Sequence, residues 1–253
     1  MPIIQSVSRA LAIFELFDET NRELSIKEIS LKLNLNKSTV HSLLNTLKEY
    51  GYISQNNETN EYSLGWKLYE RGYLIVSQMD IRNVARPHLE KLNKETNQTV
   101  HLVTLLGKEA IYIDKITGTS SLVIYSRVGK RVPLHSSGVG KVLAAFLNEA
   151  QLNSVIDGYV FEKRTENTLV SHEKFLEEIK AVKKNGYAID YEENEPGIIC
   201  IAMPVYDYSG EVIAAVSIST PKSFYNSEVE KLNYDCLKKC VEELSHDLGY
   251  QKK

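Results

Sequence analysis

Residues 36–50, NKSTVHSLLNTLKEY, constrain this chain more than any other stretch. Val40, Leu43, Leu44 and Leu47 recur at the spacing of a helix with one buried stripe. Asn36 stands where a side-chain oxygen can cap the unpaired N–H groups of the first turn. The other positions near its start, Lys37, Ser38, Thr39, His41, Ser42 and Asn45, are short polar or cationic. Such residues reach base edges and phosphates when a helix enters a major groove. Ser25 and Glu28 have the pattern of a capping box, at the head of a helix whose apolar side is Ile26, Ile29, Leu31 and Leu33. Only Asn34, Leu35 and Asn36 separate the two, the tight connection of a helix-turn-helix. Gly51 ends the second helix. Residues 51–54 and 61–64 read as two short strands around a polar tip that contains Asn56 and Asn57. This order predicts a winged helix-turn-helix; the competing reading is a helical subdomain whose polar face is merely solvated.

At 253 residues and 43% hydrophobic content the chain has room for two small domains with cores of their own. No run approaches the roughly 18 uninterrupted apolar residues of a membrane span. Pro2, Arg9 and Glu15 interrupt the N-terminal stretch where a secretory apolar region would lie, so the cytoplasm is the expected compartment. Three cysteines, Cys200, Cys236 and Cys240, make no even disulfide framework, in keeping with a reducing environment. Charge carries a mixed message. Residues 1–64 hold six Lys/Arg (9, 22, 27, 32, 37, 48) against eight Asp/Glu (15, 18, 19, 23, 28, 49, 58, 61), which is not the usual basic footprint of a DNA-binding domain. The acids cluster over 15–28, whereas between Lys32 and Asn57 three lysines face only Glu49. Binding to nucleic acid is therefore expected to be modest per subunit and to depend on two subunits acting together.

Residues 6–17 predict a first supporting helix, with Arg9 placed either on a phosphate or in solvent. Trp66, Leu68, Tyr69, Tyr73, Leu74 and Val76 lie on a predicted linker helix whose aromatic residues suit packing against a second subunit or domain. The next helix, over 80–97, contains Pro87 and is expected to kink or break there. Beyond it the period changes. Residues 99–106 and 109–116 are strand-like runs joined at Gly107-Lys108, and 122–126 is a further short strand. Helices over 142–147, 149–157 and 172–185 precede strands over 187–191, 198–206 and 212–219, and a helix over 227–248 closes the chain. Helices and antiparallel strands without βαβ alternation make the second domain α+β. The expected division is a winged helix-turn-helix over 1–64, a linker helix over 65–79 and the second domain over 80–253.

Ser136-Ser137-Gly138-Val139-Gly140-Lys141 puts serines and glycines at a helix start, where free N–H groups suit a small carboxylate or phosphate. The segment lacks the spacing of a nucleotide P-loop, and a plain N-cap turn accounts for it at least as well.

Six ordered segments, SVSRALAIFELF, LSIKEISLKLNLNKSTVHSLLNTLKEYGYI, YSLGWKLYERG, ETNQTVHLVTLLGKEAIYI, VGKRVPLHSSGVGKVLAAFL and GYAIDYEENEPGIICIAMPVYDYSGEVIAAVSIST, give the chain an end-to-end resemblance to the IclR family of bacterial transcriptional regulators. The resemblance implies a winged helix-turn-helix, a linker helix and a C-terminal effector-binding domain with a GAF-like sheet, working as a homodimer or a dimer of dimers. It also implies a pocket in which an effector carboxylate meets the backbone at Gly138 and Val139. Asp190 and Cys200 would face it, Ser217 and Ser219 stand alongside, and Ile124 form an apolar wall. Val139 stands where the family usually carries Ala, which would narrow that pocket.

The expected function is sequence-specific binding of a double-stranded operator, in the mode of a repressor, under control of a small organic acid. Arg9, Lys37, Ser38, Thr39, His41, Ser42, Asn45, Asn56 and Asn57 are the candidate DNA contacts. No cofactor, metal or catalytic residue is expected. Two alternatives stand beside this reading. One is a hydrolase using Cys200 with His135 and Asp190; the other is a winged-helix module that binds protein and not DNA. His135, Asp190 and Cys200 could also meet at a metal, although they lack sequence-local ligand spacing. Cys236 and Cys240 share a helix face, where core packing is the simpler role.

Overall fold

The apolar stripes of the first helices close into a small core of their own. The computed structural model describes residues 3–18, 20–77, 80–119 and 126–251. Its first unit, Met1–Gln78, holds α1 (Gln5–Phe14), α2 (Ile26–Leu33), α3 (Lys37–Glu49), β1 (Ile53–Gln55), β2 (Tyr62–Leu64) and α4 (Trp66–Ser77). Ile13, Leu24, Ile29, Val40, Leu44, Ile53 and Tyr62 form its interior. The capping box is present: Ser25 Oγ accepts from the Glu28 N–H at 3.3 Å, and Glu28 Oε2 accepts from the Ser25 N–H at 2.8 Å. Asn34 turns the chain between α2 and α3 at φ +51°, a left-handed conformation that Asn tolerates. Ile53↔Leu64, Ser54↔Ser63 and Gln55↔Tyr62 pair antiparallel in the wing.

Two local expectations fail here. Asn36 occupies the N-cap position of α3, but its side chain makes no capping hydrogen bond. Leu31 is 81% exposed and does not join the core. With Ile29 facing inward, a residue two positions on lies roughly 200° around the helix.

The second unit, Met79–Lys253, is built on α5 (Asp80–Thr96), β3 (Thr99–Leu106), β4 (Glu109–Ile116), β5 (Arg131–Val132), α6 (Gly138–Ala145), α7 (Glu149–Ile156), α8 (His172–Asn185), β6 (Ala188–Tyr191), β7 (Ile198–Tyr206), β8 (Val212–Pro221) and α9 (Ser227–Asp247). The expected break at Pro87 is absent, and Asp80–Thr96 is a single helix. Ala85, Leu89 and Leu92 hold its buried side, whereas Pro87 and Asn83 both lie on the exposed side. The carbonyl that Pro87 cannot serve is therefore left on the wet face. The strand expected over 122–126 falls on residues of which 122–125 lie outside those described. Helix α6 starts at Gly138, four residues before the expected Val142.

The six strands form one antiparallel sheet in the order β5-β4-β3-β8-β7-β6. Alternating side chains feed two cores. Ala85, Leu89 and Leu92 of α5 and Leu237, Cys240, Val241 and Leu244 of α9 meet Val100, Leu102, Ile201, Met203, Val216 and Ile218 on one face. Val139, Val142 and Leu143 of α6 and Phe175, Ile179 and Val182 of α8 meet Val103, Ala110, Tyr112, Ala188, Ala202 and Ala215 on the other. Alanines at 188 and 202 leave room for α6 to come down close to the sheet: a Cβ added to Gly138 would stand 3.2 Å from Ala202 Cβ. Part of this second face is not covered by α6, and a cavity lies there.

Candidate functional site

In the first unit, the side of α3 opposite Val40 and Leu44 presents Lys37, Ser38, His41, Ser42 and Asn45 to solvent, with Thr39 half-buried. Asn45 Nδ2 lies 3.2 Å from His41 Nδ1; an amide N–H donating there leaves the outer Nε2 of the ring as a donor. Ser42 Oγ donates to Ser38 O at 3.1 Å, a back-bond that a base or phosphate acceptor can replace. Lys48 reaches the wing instead, with Nζ 2.8 Å from Gln55 Oε1. At the wing tip Asn56 Oδ1 accepts from the Glu58 and Thr59 N–H groups at 2.9 and 3.4 Å, so its side chain shapes the turn, while Asn57 is exposed. Arg9 is half-buried on α1.

In the second unit, register brings together residues far apart in sequence. Asp190 pairs with Cys200, Cys200 with Ser219, and Ser219 with Thr99, so four strands contribute one polar row across the sheet. The next row on the same face runs Ala188, Ala202, Ser217, His101 and Lys115. Above these rows is a cavity of about 480 Å³. Asp190, Cys200, Ser219, His101 and Tyr112 line its sheet side; Ser126, Lys130 and Pro133 to His135 form one wall, and Asp157 to Val160, Glu162 and Arg164 another. Asn194 and Glu195, from the turn after β6, complete it. That volume holds a small metabolite.

Of the predicted pocket residues, Asp190, Cys200 and Ser219 line the cavity. Ser217 does not, but its Oγ is 3.4 Å from His101 Nδ1 behind the lining. Gly138 and Val139 are buried and are not among the lining residues; Val139 packs in the core with Phe175 and Ile179. Ile124 lies outside the described residues. At the start of α6 the plain N-cap is present: Ser137 Oγ accepts from the Gly140 N–H at 3.1 Å and donates to Pro133 O at 2.5 Å. His101, Tyr112, Ser126, Tyr159, Arg164, Asn194 and Glu195 line the cavity in addition to the expected residues. His101 carried a signal, as a polar residue at an inward position of the apolar run TVHLVTLL. The others come from loops or neighbouring strands and carried none.

The polar groups on the sheet side of the cavity are mostly neutral, whereas its walls carry charged side chains such as Lys130, Glu162 and Arg164. Burial brings His101 down to about 3, with the charge of Lys115 adding to the effect, so the ring is uncharged. Burial pushes the Cys200 thiol well up, and its Sγ lies 3.0 Å from Ser219 Oγ. A thiol held protonated is a poor nucleophile. His135 is engaged elsewhere: Nδ1 is 2.8 Å from Tyr159 Oη and Nε2 3.0 Å from Glu162 O. The Cys-His-Asp constellation of the hydrolase reading is therefore not assembled, and among the described residues no cluster of three or more His, Cys, Asp or Glu is arranged to hold a metal.

Asp190 is 2% exposed, and its Oδ1 accepts from the Glu193 N–H at 2.7 Å and the Asn194 N–H at 3.2 Å. Burial outweighs those donors and raises the carboxyl from 3.8 to about 7. The folded chain thus holds a proton that the unfolded chain loses. The stability this contributes is complete below 3.8 and is lost as pH rises to about 7. Asp190→Asn is expected to remove this slope. Its unfolding midpoint should gain on that of the wild type as pH is raised through this window, and parallel pH profiles would refute the assignment.

The comparisons agree on one family. Its two models, described as IclR helix-turn-helix domain and Bacterial transcriptional regulator IclR C-terminal, match residues 6–57 and 73–246. The HTH-type transcriptional regulator XynR of Escherichia coli (strain K12) is 46% identical over 251 residues, covering 99% of each chain. The crystal structure of the Thermotoga maritima IclR is 33% identical and superposes with a TM-score of 0.79, over 97% of this chain and 99% of that one. An IclR homolog from Microbacterium hydrocarbonoxydans, complexed with 4-hydroxybenzoate, is 20% identical with a TM-score of 0.79 over 96% of this chain and 100% of its own, a likeness of fold.

Proposed function

The chain belongs to the IclR family of bacterial transcriptional regulators, and from that premise we propose that it is a repressor whose second unit binds a small organic acid that changes operator affinity. It is a DNA-binding transcriptional regulator, and the family is one of regulators and not of enzymes. The observation that carries the effector reading is the cavity of about 480 Å³ floored by Asp190, Cys200 and Ser219. Its neutral hydroxyl, thiol and imidazole groups suit the hydroxyl or carbonyl end of such an acid, and Lys130 and Arg164 on its walls suit the carboxylate. The 4-hydroxybenzoate bound by the Microbacterium homolog is an acid of this size class. Gly138 and Val139 act indirectly in this reading, by seating α6 behind the pocket. A thermal-shift screen over keto, sugar and aromatic acids tests the proposal: stabilisation of wild type but not of Cys200→Leu/Ser219→Val supports it, and equal shifts in both sink it.

Residues 1–64 are the proposed DNA-binding part, 65–79 the linker and 80–253 the effector-binding part. Two subunits acting together offset the acidic balance of residues 1–64, and the exposed Trp66, Tyr69 and Tyr73 of α4 suit contact with a second copy. No helix among the described residues is long and apolar enough to cross a membrane, and the proposed site of action is the cytoplasm, with the operator. Lys37, Ser38, Thr39, His41, Ser42 and Asn45 read bases and phosphates, with Arg9, Asn56 and Asn57 on the flanks. Ser38→Ala/His41→Ala is expected to weaken operator binding about 5 to 150-fold and relax its sequence preference. Lys37→Ala is expected to weaken all duplexes alike and to lower the salt dependence by about one ion. Gel retardation over a salt series separates the two, and full retention of affinity in both variants would refute this assignment of the contacts.

A further inference from the structure

Resting on the reading of the cavity as the effector site, we infer that Asp114 is the positioning residue through which occupation of the cavity reaches α5, the first helix after the boundary between the two units. A continuous set of polar contacts crosses the sheet to it. Cys200 Sγ is 3.0 Å from Ser219 Oγ, and Ser219 Oγ is 3.4 Å from His101 Nδ1. His101 Nε2 meets Ser126 Oγ at 2.6 Å, and Ser126 O accepts from Lys115 Nζ at 2.6 Å. Lys115 pairs with His101 on the cavity face, whereas Asp114 pairs with Leu102 on the face that packs against α5. The Lys115 N–H donates to Asp114 Oδ1 at 2.8 Å, and Arg86 of α5 donates to the same oxygen through Nη1 at 2.9 Å.

The other oxygen of that carboxylate makes the device bistable. Asp114 is 0% exposed, and its Oδ2 has no hydrogen-bond partner. The Arg82 Nε, in the first turn of α5, stops 3.8 Å away, beyond hydrogen-bond distance, on a side chain 32% exposed. A buried charged oxygen left in this way is costly, and an approach of about 1 Å by Arg82 would satisfy it. In this inference the start of α5 has two arrangements, Arg82 apart from Asp114 as observed or bonded to it, and occupation of the cavity sets the balance between them. A ligand that displaces Ser126 or Ser219 shifts Lys115, and with it the aim of the adjoining carboxylate. Coupling of this kind requires an element with two discrete states that both sites bias, and Arg82 with Asp114 supplies one.

The test needs no knowledge of the effector. The full chain is bound to a duplex that it selects from a random-sequence pool, and Cys200 is alkylated by iodoacetamide with and without that duplex. Mass spectrometry of the peptide containing Cys200 gives the rate. Because coupling is reciprocal, the bound duplex is expected to change that rate by about fivefold or more. In Arg82→Gln, which leaves Arg86 on Asp114, and in Asp114→Asn, the ratio should fall to about one while the duplex is still retarded, and Arg82→Lys should restore part of it. If Asp114→Asn does not fold, Arg82→Gln decides. A ratio unchanged in the variants, or a wild-type rate indifferent to the bound duplex, overturns the inference. A chain that retards no duplex removes the regulatory reading beneath it, a separate and visible outcome.

Discussion

Lys141→Met is expected to destabilise the second unit by about 3–5 kcal/mol, the usual cost of removing one partner from a buried ion pair. Lys141 is 1% exposed on α6, and its ammonium uses three acceptors: Glu193 Oε1 at 2.7 Å, Glu178 Oε1 at 2.9 Å and Ile189 O at 2.5 Å. Glu178 can turn to solvent from α8 if the lysine is lost. Glu193 cannot; it is buried, and its Oε2 already has no partner. Burial raises the Glu193 carboxyl above its usual range even with Lys141 in place, and the lysine opposes that rise. Without the lysine the folded-state value climbs further, so the deficit of the variant should shrink as pH falls and Glu193 takes up its proton. Lys141→Met/Glu193→Gln should recover much of the loss. Denaturant unfolding checks both, and a deficit under about 1 kcal/mol would show that Glu193 finds water. The consequence reaches the cavity, because Glu193 sits in the turn after β6, between Asp190 of that strand and the lining residues Asn194 and Glu195.

Gly140→Ala is expected to cost at least the upper end of the ~1–3 kcal/mol seen for overpacking and to distort the cavity wall. A Cβ at this position would stand 2.3 Å from Pro133 O, 2.6 Å from Leu134 Cα and 2.7 Å from Ser137 Oγ. Two of those three atoms are backbone, so no rotamer change relieves the clash. Pro133 and Leu134 themselves line the cavity. Gly138→Ala is the control: its nearest contact is a side-chain methyl, Ala202 Cβ at 3.2 Å, and a small shift accommodates it. Thermal unfolding of the two variants should therefore differ by several degrees, with Gly140→Ala the lower. Equal midpoints would mean that the 133–137 loop yields freely.

In the glycine-serine segment local pattern and tertiary context act on the same residues. Its composition marked a helix start, and a helix starts there. Glycines in such a segment suggest access for a ligand to the backbone, but Gly140 is small because the chain's own Pro133-Leu134 backbone crosses it. Pro87 is a similar case. The residue predicted a break, and only its placement on the exposed side of α5 made an unbroken helix tolerable. The apolar type of Leu31 suggests the core, whereas the helical angle from Ile29 puts it in solvent. Asp190, Cys200 and Ser219 became neighbours through strand register, and His101 joined them because β3 pairs with β8.

The two-residue strand β5 was not set by the sequence alone, whereas the kind of most elements, the capping box at Ser25 and Glu28, the tight turn before α3 and the polar face of that helix were. Each depends on interactions within one or two turns or across one hairpin, where spacing along the chain is spacing in space. Only the tertiary structure decided which polar residues share a cavity, that His101 is neutral and Asp190 holds its proton near pH 7, and that Asp114 keeps one oxygen in reserve beside Arg82. Those properties come from burial and from contacts between strands and helices distant in the chain, and burial is a sum over neighbours that no local pattern contains.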